Sequence, residues 1–230
     1  MHENDGSHGL PTQDLITRLT RTLRPVRRLW PPSMRLAVFG SLQIVVFVVA
    51  GLTLGLRGDL SQKLHSDGFL LELGFIIAVA ISSTVMALLA AVPGREPSRW
   101  LALGSVLVAV LGLATAFAAA PWLDPMMGHF VATGWPCAAR TAVVAAVPWV
   151  VLGVTVRRGA TLVPGLAGIL TGAASFLFAT ASLRMSCPLD SAAHLVIWHL
   201  GPVLVGILAS VLIGSLCLSR RPRFRRSGSQ

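Results

Sequence analysis

The chain has 230 residues, of which 54% are hydrophobic and only 12% charged, with a mean hydropathy of +0.74. Soluble domains carry roughly 25% charged residues, so this composition excludes a soluble enzyme or binding domain and leaves little length outside a bilayer. The formal net charge of +10 suits either nucleic acid or a membrane surface, and the placement of the charges decides between them.

The first residues, to about Thr12, are polar and read as a disordered tail. Over Gln13–Arg24, Leu15, Leu19 and Leu23 recur every four residues with Ile16 beside them, while Arg18, Arg21 and Thr22 point elsewhere. This spacing predicts an amphipathic helix, with Asp14 suited to its N-terminus and Pro25 kinking or ending it. Trp30-Pro31-Pro32 then closes the segment at the membrane surface. No cleavable signal peptide is expected, because the first apolar run starts only near Leu36 and is long enough to remain as an anchor.

Six apolar runs follow, at about Leu36–Leu56, Phe69–Val92, Leu101–Ala120, Ala142–Val156, Ala160–Leu183 and Ala193–Leu218. About 17–25 residues cross a bilayer, and the fourth run reaches that length once Ala138–Thr141 are included. The expectation is an all-α integral membrane protein with six transmembrane helices. Its parts are a cytoplasmic segment over 1–35, the helical domain over 36–218 and a basic cytoplasmic tail over 219–230. Fifteen of the 19 Lys and Arg residues fall on the side of the two termini, and only Arg57, Lys63, Arg140 and Arg184 fall on the other. Positively charged loops stay inside, so both termini are expected in the cytoplasm. The charge is then mostly a topology signal, and direct nucleic-acid binding is not expected.

That topology puts Cys137, in GWPCAAR, and Cys187, in RMSCPLDSAAHLVIWHLGP, on the outer side, each at the end of a loop that enters a helix. Polar and metal-competent groups are costly to keep at the mouth of a membrane helix, so this pair suggests a function. Three readings stay open for it. A disulfide or redox pair is permitted in an oxidising compartment, and two thiolates with imidazoles suit a soft or borderline metal such as Cu(I) or Zn(II). Both cysteines can also be small, partly buried apolar residues. His129, Asp190 and His194 lie at the same level, with His199 deeper. Asp190 and His194 share a helix face if the helix starts at Pro188, and Asp190 then reads as a cap that orients His194. His194 and His199 are five apart, roughly 140° round an α-helix, so His199 is expected to be structural. Glu72 and Arg140, each near the outer end of a helix, either pair or reach the headgroups. Cys217 belongs to the other membrane face. No catalytic triad, phosphate-cradling loop or paired-carboxylate site is visible, and no enzyme is expected. The stretches Gly104–Ala120 and Gly165–Ala174 read as small-residue helix packing.

The basic amphipathic segment Asp14–Trp30 suits either anionic lipid of the inner leaflet or a groove on a partner protein. Taken together, LITRLTRTLRPVRRLWPP ahead of six apolar runs, one Cys in GWPC, and CPLDSAAHLVIWHLGP leading into the last helix resemble the negative-regulator-of-sigma-F family. The resemblance covers nearly the whole chain, and its most specific part is the run from Cys187 to Pro202. It implies a bacterial inner-membrane anti-sigma factor whose N-terminal segment holds an extracytoplasmic-function sigma factor. Leu15, Leu19, Leu23, Arg24, Pro25, Arg27 and Arg28 would be the contact segment. The resemblance further implies that Cys137 and Cys187 sense metal or oxidative stress and trigger release. The alternatives from other classes are a membrane metal transporter, a thiol-redox membrane protein and a purely structural membrane subunit.

Overall fold

The computed structural model of the chain describes residues 12–21, 30–118, 129–159 and 161–218. Among these residues all regular structure is helical: α1 (Thr12–Arg21), α2 (Pro32–Leu54), α3 (Leu60–Lys63), α4 (Asp67–Ala90), α5 (Arg99–Ala118), α6 (Phe130–Arg157), α7 (Pro164–Arg184) and α8 (Ala192–His194). A π-helical segment, Leu195–Leu200, joins α8 directly to α9 (Gly201–Leu218). Prolines and glycines set the ends. Pro32 occupies the first turn of α2, where its missing N–H costs nothing. Gly55 ends the same helix at φ +77°, a conformation that other residues rarely take.

Among the described residues, five helices are long and apolar enough to cross a membrane: α2, α4, α6, α7 and the continuous stretch Ala192–Leu216. The third expected run is helical too, as α5 over Arg99–Ala118, and among the described side chains its apolar stretch is Arg99–Ala114. By length and composition the chain is a multi-pass helical protein, with five candidate spans among the described residues and the remaining expected run present as α5. The fourth run also starts earlier than expected. Helix begins at Phe130, so the stretch ahead of Cys137 belongs to α6 and not to a connecting loop.

Helix α7 sits at the centre, with 78% of its apolar window buried against 17% for α2. Between apolar helices in lipid the drive to associate comes from close packing, which small residues permit. A Cβ at Gly168 would lie 2.4 Å from the Ser210 carbonyl oxygen, and one at Gly172 would lie 2.9 Å from Ile207 Cα. A Cβ at Gly206 would meet the Phe176 ring at 2.4 Å. The α7 and α9 backbones therefore touch, and any side chain larger than glycine would part them. The buried core falls into two clusters along α7. One contains Ile76, Leu113, Leu177, Leu195 and Val203, and the other contains Phe39, Leu88, Leu152, Val156 and Leu170. By contrast, α2 lies at the periphery and turns most of its apolar surface outward, including Ile44, Val45, Val48 and Leu52.

Candidate metal centre

Four elements at one end of the bundle each supply a side chain. Cys137 lies about two turns inside α6. Cys187 lies in the loop after α7, where its backbone N–H donates to the Leu183 carbonyl at 2.7 Å. His194 closes α8 and His199 lies in the π-helical segment. All four are buried, both imidazoles completely. The Cys137 and Cys187 Sγ atoms are 3.7 Å apart, and Cys187 Sγ is 3.5 Å from His194 Nε2. One ligand atom from each residue falls within 4.8 Å of every other, a grouping that could hold a metal ion.

The π-helical segment explains why two histidines five residues apart meet. An α-helix would splay them, but i→i+5 hydrogen bonding returns the chain to the same face after five residues. The rings accordingly approach to 5.4 Å between centroids. The expectation that His194 and His199 cannot face one ion rests on α geometry, and the π turn removes that objection. Trp198 in the same segment packs onto α6, where Gly134 makes room: a Cβ there would lie 2.0 Å from the indole Nε1. Phe130 flanks the same indole at 5.6 Å. The approach of these two helices is what brings Cys137 to the other three donors.

Neither ring nitrogen of His199 has a hydrogen-bond partner, nor does Nδ1 of His194. Leaving a buried polar atom unsatisfied costs about 1–3 kcal/mol, so such a cluster in a helical core calls for a compensating ligand. The set matches one. With metal–sulfur bonds of about 2.3 Å and metal–nitrogen bonds of about 2.0–2.1 Å, a tetrahedral site needs sulfurs about 3.7 Å apart and a sulfur–nitrogen separation near 3.5 Å. Hydrogen bonds from Cys137 and His194, acting against burial, lower the Cys187 pKa below its ordinary value and favour its thiolate.

Beside this cluster stands a network of six charged side chains. Arg57, three residues beyond α2, binds Asp59 through Nε (2.6 Å) and Nη2 (2.9 Å), and Asp190 through Nη1 (3.0 Å) and Nη2 (2.7 Å). Arg184, at the end of α7, donates Nε and Nη2 to Glu72 and Nη1 to Asp190 at 2.9 Å. Lys63 Nζ reaches Asp190 at 2.7 Å. Both guanidinium groups also lie over the Phe69 ring, at 5.9 and 5.4 Å from its centroid. Burial alone would raise the Asp190 pKa; hydrogen bonds from Arg57 and Lys63, with the Arg184 charge, reverse this and hold it well below the usual carboxylate range. The hydrogen bond to Asp190 in turn holds Arg57 firmly protonated, and that from Arg57 lowers Asp59.

A depressed folded pKa contributes stability that is present above the unfolded value, about 3.9 for Asp, and lost as pH falls through the folded value. The thermal midpoint of the detergent-solubilised protein is therefore expected to drop as pH falls below about 4, with Asp190→Asn removing part of that drop. An acid profile unchanged in the Asn variant would assign the loss to other carboxylates.

A family model described as negative regulator of sigma F, NrsF, matches residues 19–219. The chain belongs to this family. No curated protein and no solved structure matches it. NrsF membership makes a sigma factor the partner that the chain regulates negatively, and the matched span contains all four clustered donors.

Several sequence expectations about this NrsF chain are revised by the geometry. Helix α8 starts at Ala192, with Ser191 as N-cap and no side-chain cap bond, so Pro188 is not its first residue. Asp190 does not cap it and binds three cations instead. Glu72 pairs with Arg184 rather than with Arg140 or lipid headgroups, while Arg140 is exposed on α6. His129 is exposed at the N-cap of α6 and is not part of the donor cluster. Leu15 and Leu19 lie on α1, whereas Leu23, Arg24, Pro25, Arg27 and Arg28 lie outside the described residues, as does the tail from 219 onward. The Cys217 side chain is likewise outside them. Arg57, Lys63 and Arg184 entered the sequence reading only as topology charges. The signal that could have found them was two arginines and a lysine on the same side as Asp59, Glu72 and Asp190, an equal number of opposite charges.

Proposed function

We propose that the chain is a membrane anti-sigma factor whose Cys137–Cys187–His194–His199 cluster senses a soft or borderline metal ion. The N-terminal segment, with α1 and the residues up to Arg28, holds an extracytoplasmic-function sigma factor at the inner membrane of a bacterium. Metal capture weakens that hold. In this reading six spans leave both termini in the cytoplasm and open the metal site toward the outer side. The 15-to-4 split of Lys and Arg supports the orientation.

The observation that carries the reading is the convergence of two cysteines and two histidines, buried and with three ring nitrogens unpartnered. A dication such as Zn(II) or Cd(II) cancels the charge of two thiolates, which suits a site shielded from water. Cu(I) would leave one excess negative charge there. A second reading rests on the 3.7 Å between the sulfurs. An external oxidant that accepts two electrons, with loss of both thiol protons, would close a disulfide of about 2.05 Å. That bond removes both thiolates as ligands, so the two readings exclude each other at any moment. The metal reading accounts for the histidines, and the disulfide reading does not.

Purified full-length protein titrated with Cd2+ is expected to develop a thiolate-to-metal charge-transfer absorption that saturates at one ion per chain. Cys137→Ser with Cys187→Ser should abolish it. A sigma factor should co-purify from unstressed cells, be lost on deleting Gln13–Trp30, and be released by Cd2+. A sigma factor retained after that deletion would remove the docking claim. Absence of the absorption would remove the metal claim.

A further inference from the structure

The loop that carries Cys187 is gripped by one residue from a distant part of the chain. Arg57 touches it at three points on both sides of the thiol. Its backbone N–H donates to the Met185 carbonyl at 3.0 Å, and its Nη2 donates to the Pro188 carbonyl at 3.4 Å. Its guanidinium forks onto the Asp190 carboxylate. The side chain is 1% exposed, so these bonds face little competition from water. Arg57 is also only three residues past Leu54, the last residue of α2. Lys63, on the same α2–α4 connection, adds a fourth grip through Asp190.

We propose that Arg57 is a positioning residue that holds Cys187 in place for the metal site and links that site mechanically to α2. The link matters because α2 is the helix that follows the N-terminal segment, and it is the most lightly packed of the five candidate spans apart from this clamp. The donors now stand up to 4.8 Å apart, so closing them around one ion must draw some of them inward. Cys187 is the donor on a loop, whereas the other three sit on helices. A displaced Cys187 loop pulls on Arg57, and Arg57 moves the end of α2. A ligand shifts an equilibrium only through different affinity for its two states, and here the two states differ in how the clamp and α2 sit when the donors are closed or open. The first half of this inference stands without metal; the second half rests on the sensing function proposed above.

Two full-length variants test it, Arg57→Lys and Asp190→Asn. Lysine keeps the charge but cannot fork onto a carboxylate and a carbonyl together, and the Asn variant loosens the same loop from the other side should the first fail to fold. The metal-free readout is the rate at which N-ethylmaleimide alkylates Cys187 relative to Cys137, followed by mass spectrometry. Arg57→Lys is expected to raise that ratio at least tenfold. The second readout is Cd2+ binding, with affinity falling at least tenfold at an unchanged one-ion stoichiometry. The third is sigma-factor retention at saturating Cd2+, where the variant should bind the ion and still hold the sigma factor. Cys187 labelling and Cd2+ affinity equal to those of the parent would overturn the positioning role. Normal release of the sigma factor from the metal-saturated variant would overturn the link to α2. If the parent binds no Cd2+ at all, the sensing function fails, and the alkylation ratio still decides the role of Arg57.

Discussion

His199→Leu is expected to make the protein more stable and to weaken its hold on metal. The imidazole is fully buried, with both ring nitrogens unpartnered, a state that costs about 1–3 kcal/mol. Leucine of similar volume removes that cost while leaving Leu195, Leu200 and their neighbours packed. Thermal unfolding in detergent should shift upward by the equivalent of about 1–3 kcal/mol, and the Cd2+ absorption should keep its sulfur character while affinity drops at least tenfold. A binding residue that destabilises its own fold is the usual sign of function held at the expense of stability. Lower stability together with unchanged Cd2+ affinity would show that His199 belongs to the core and not to the site.

The largest loss of stability is expected from Glu72→Leu. Glu72 is 13% exposed and neutralises Arg184, itself 3% exposed, through two hydrogen bonds. Removing one partner of a buried ion pair typically costs about 3–5 kcal/mol, because the other charge stays behind unpaired. The remaining contact to Asp190 at 2.9 Å offsets only part of this, since that carboxylate already serves Arg57 and Lys63. A double variant, Glu72→Leu with Arg184→Met, should recover much of the loss, as apolar replacements of buried pairs often do. A single variant as stable as the parent would mean that water reaches Arg184 and that the pair behaves as a surface salt bridge.

Both expectations concern groups that the sequence half revealed. The apolar runs gave the helices, because length and hydropathy are additive properties that need no partner. The cysteines and His194 stood out because polar groups at helix mouths are costly. What stayed hidden depended on backbone detail. Seen as α-helix, five residues between His194 and His199 argued against a shared ligand, and only the π turn reverses that argument. The extent of α6 was hidden for a related reason. Trp135 and Pro136 read as a loop boundary, yet the helix runs through Pro136 and Pro148. The charged network could not be paired from one sequence, because Arg57 and Asp190 are 133 residues apart and meet only once α2, α4 and α7 are packed. Charge counts placed these side chains on a common side but gave no partners within it.

The contact between the α7 and α9 backbones at Gly168, Gly172 and Gly214 has a mechanical consequence. Two helices whose main chains touch over several turns bend and slide little, so the pair behaves as a stiff beam that carries Cys187, His194 and His199 near one end. The peripheral α2, with 17% of its apolar window buried, is the compliant member of the same frame. A load applied at the joint between a stiff beam and a soft strut deforms the strut. Small adjustments of the donor cluster would thus appear as movement of α2, while the beam that sets most of the cluster's geometry keeps its shape and resets the site when the load is removed.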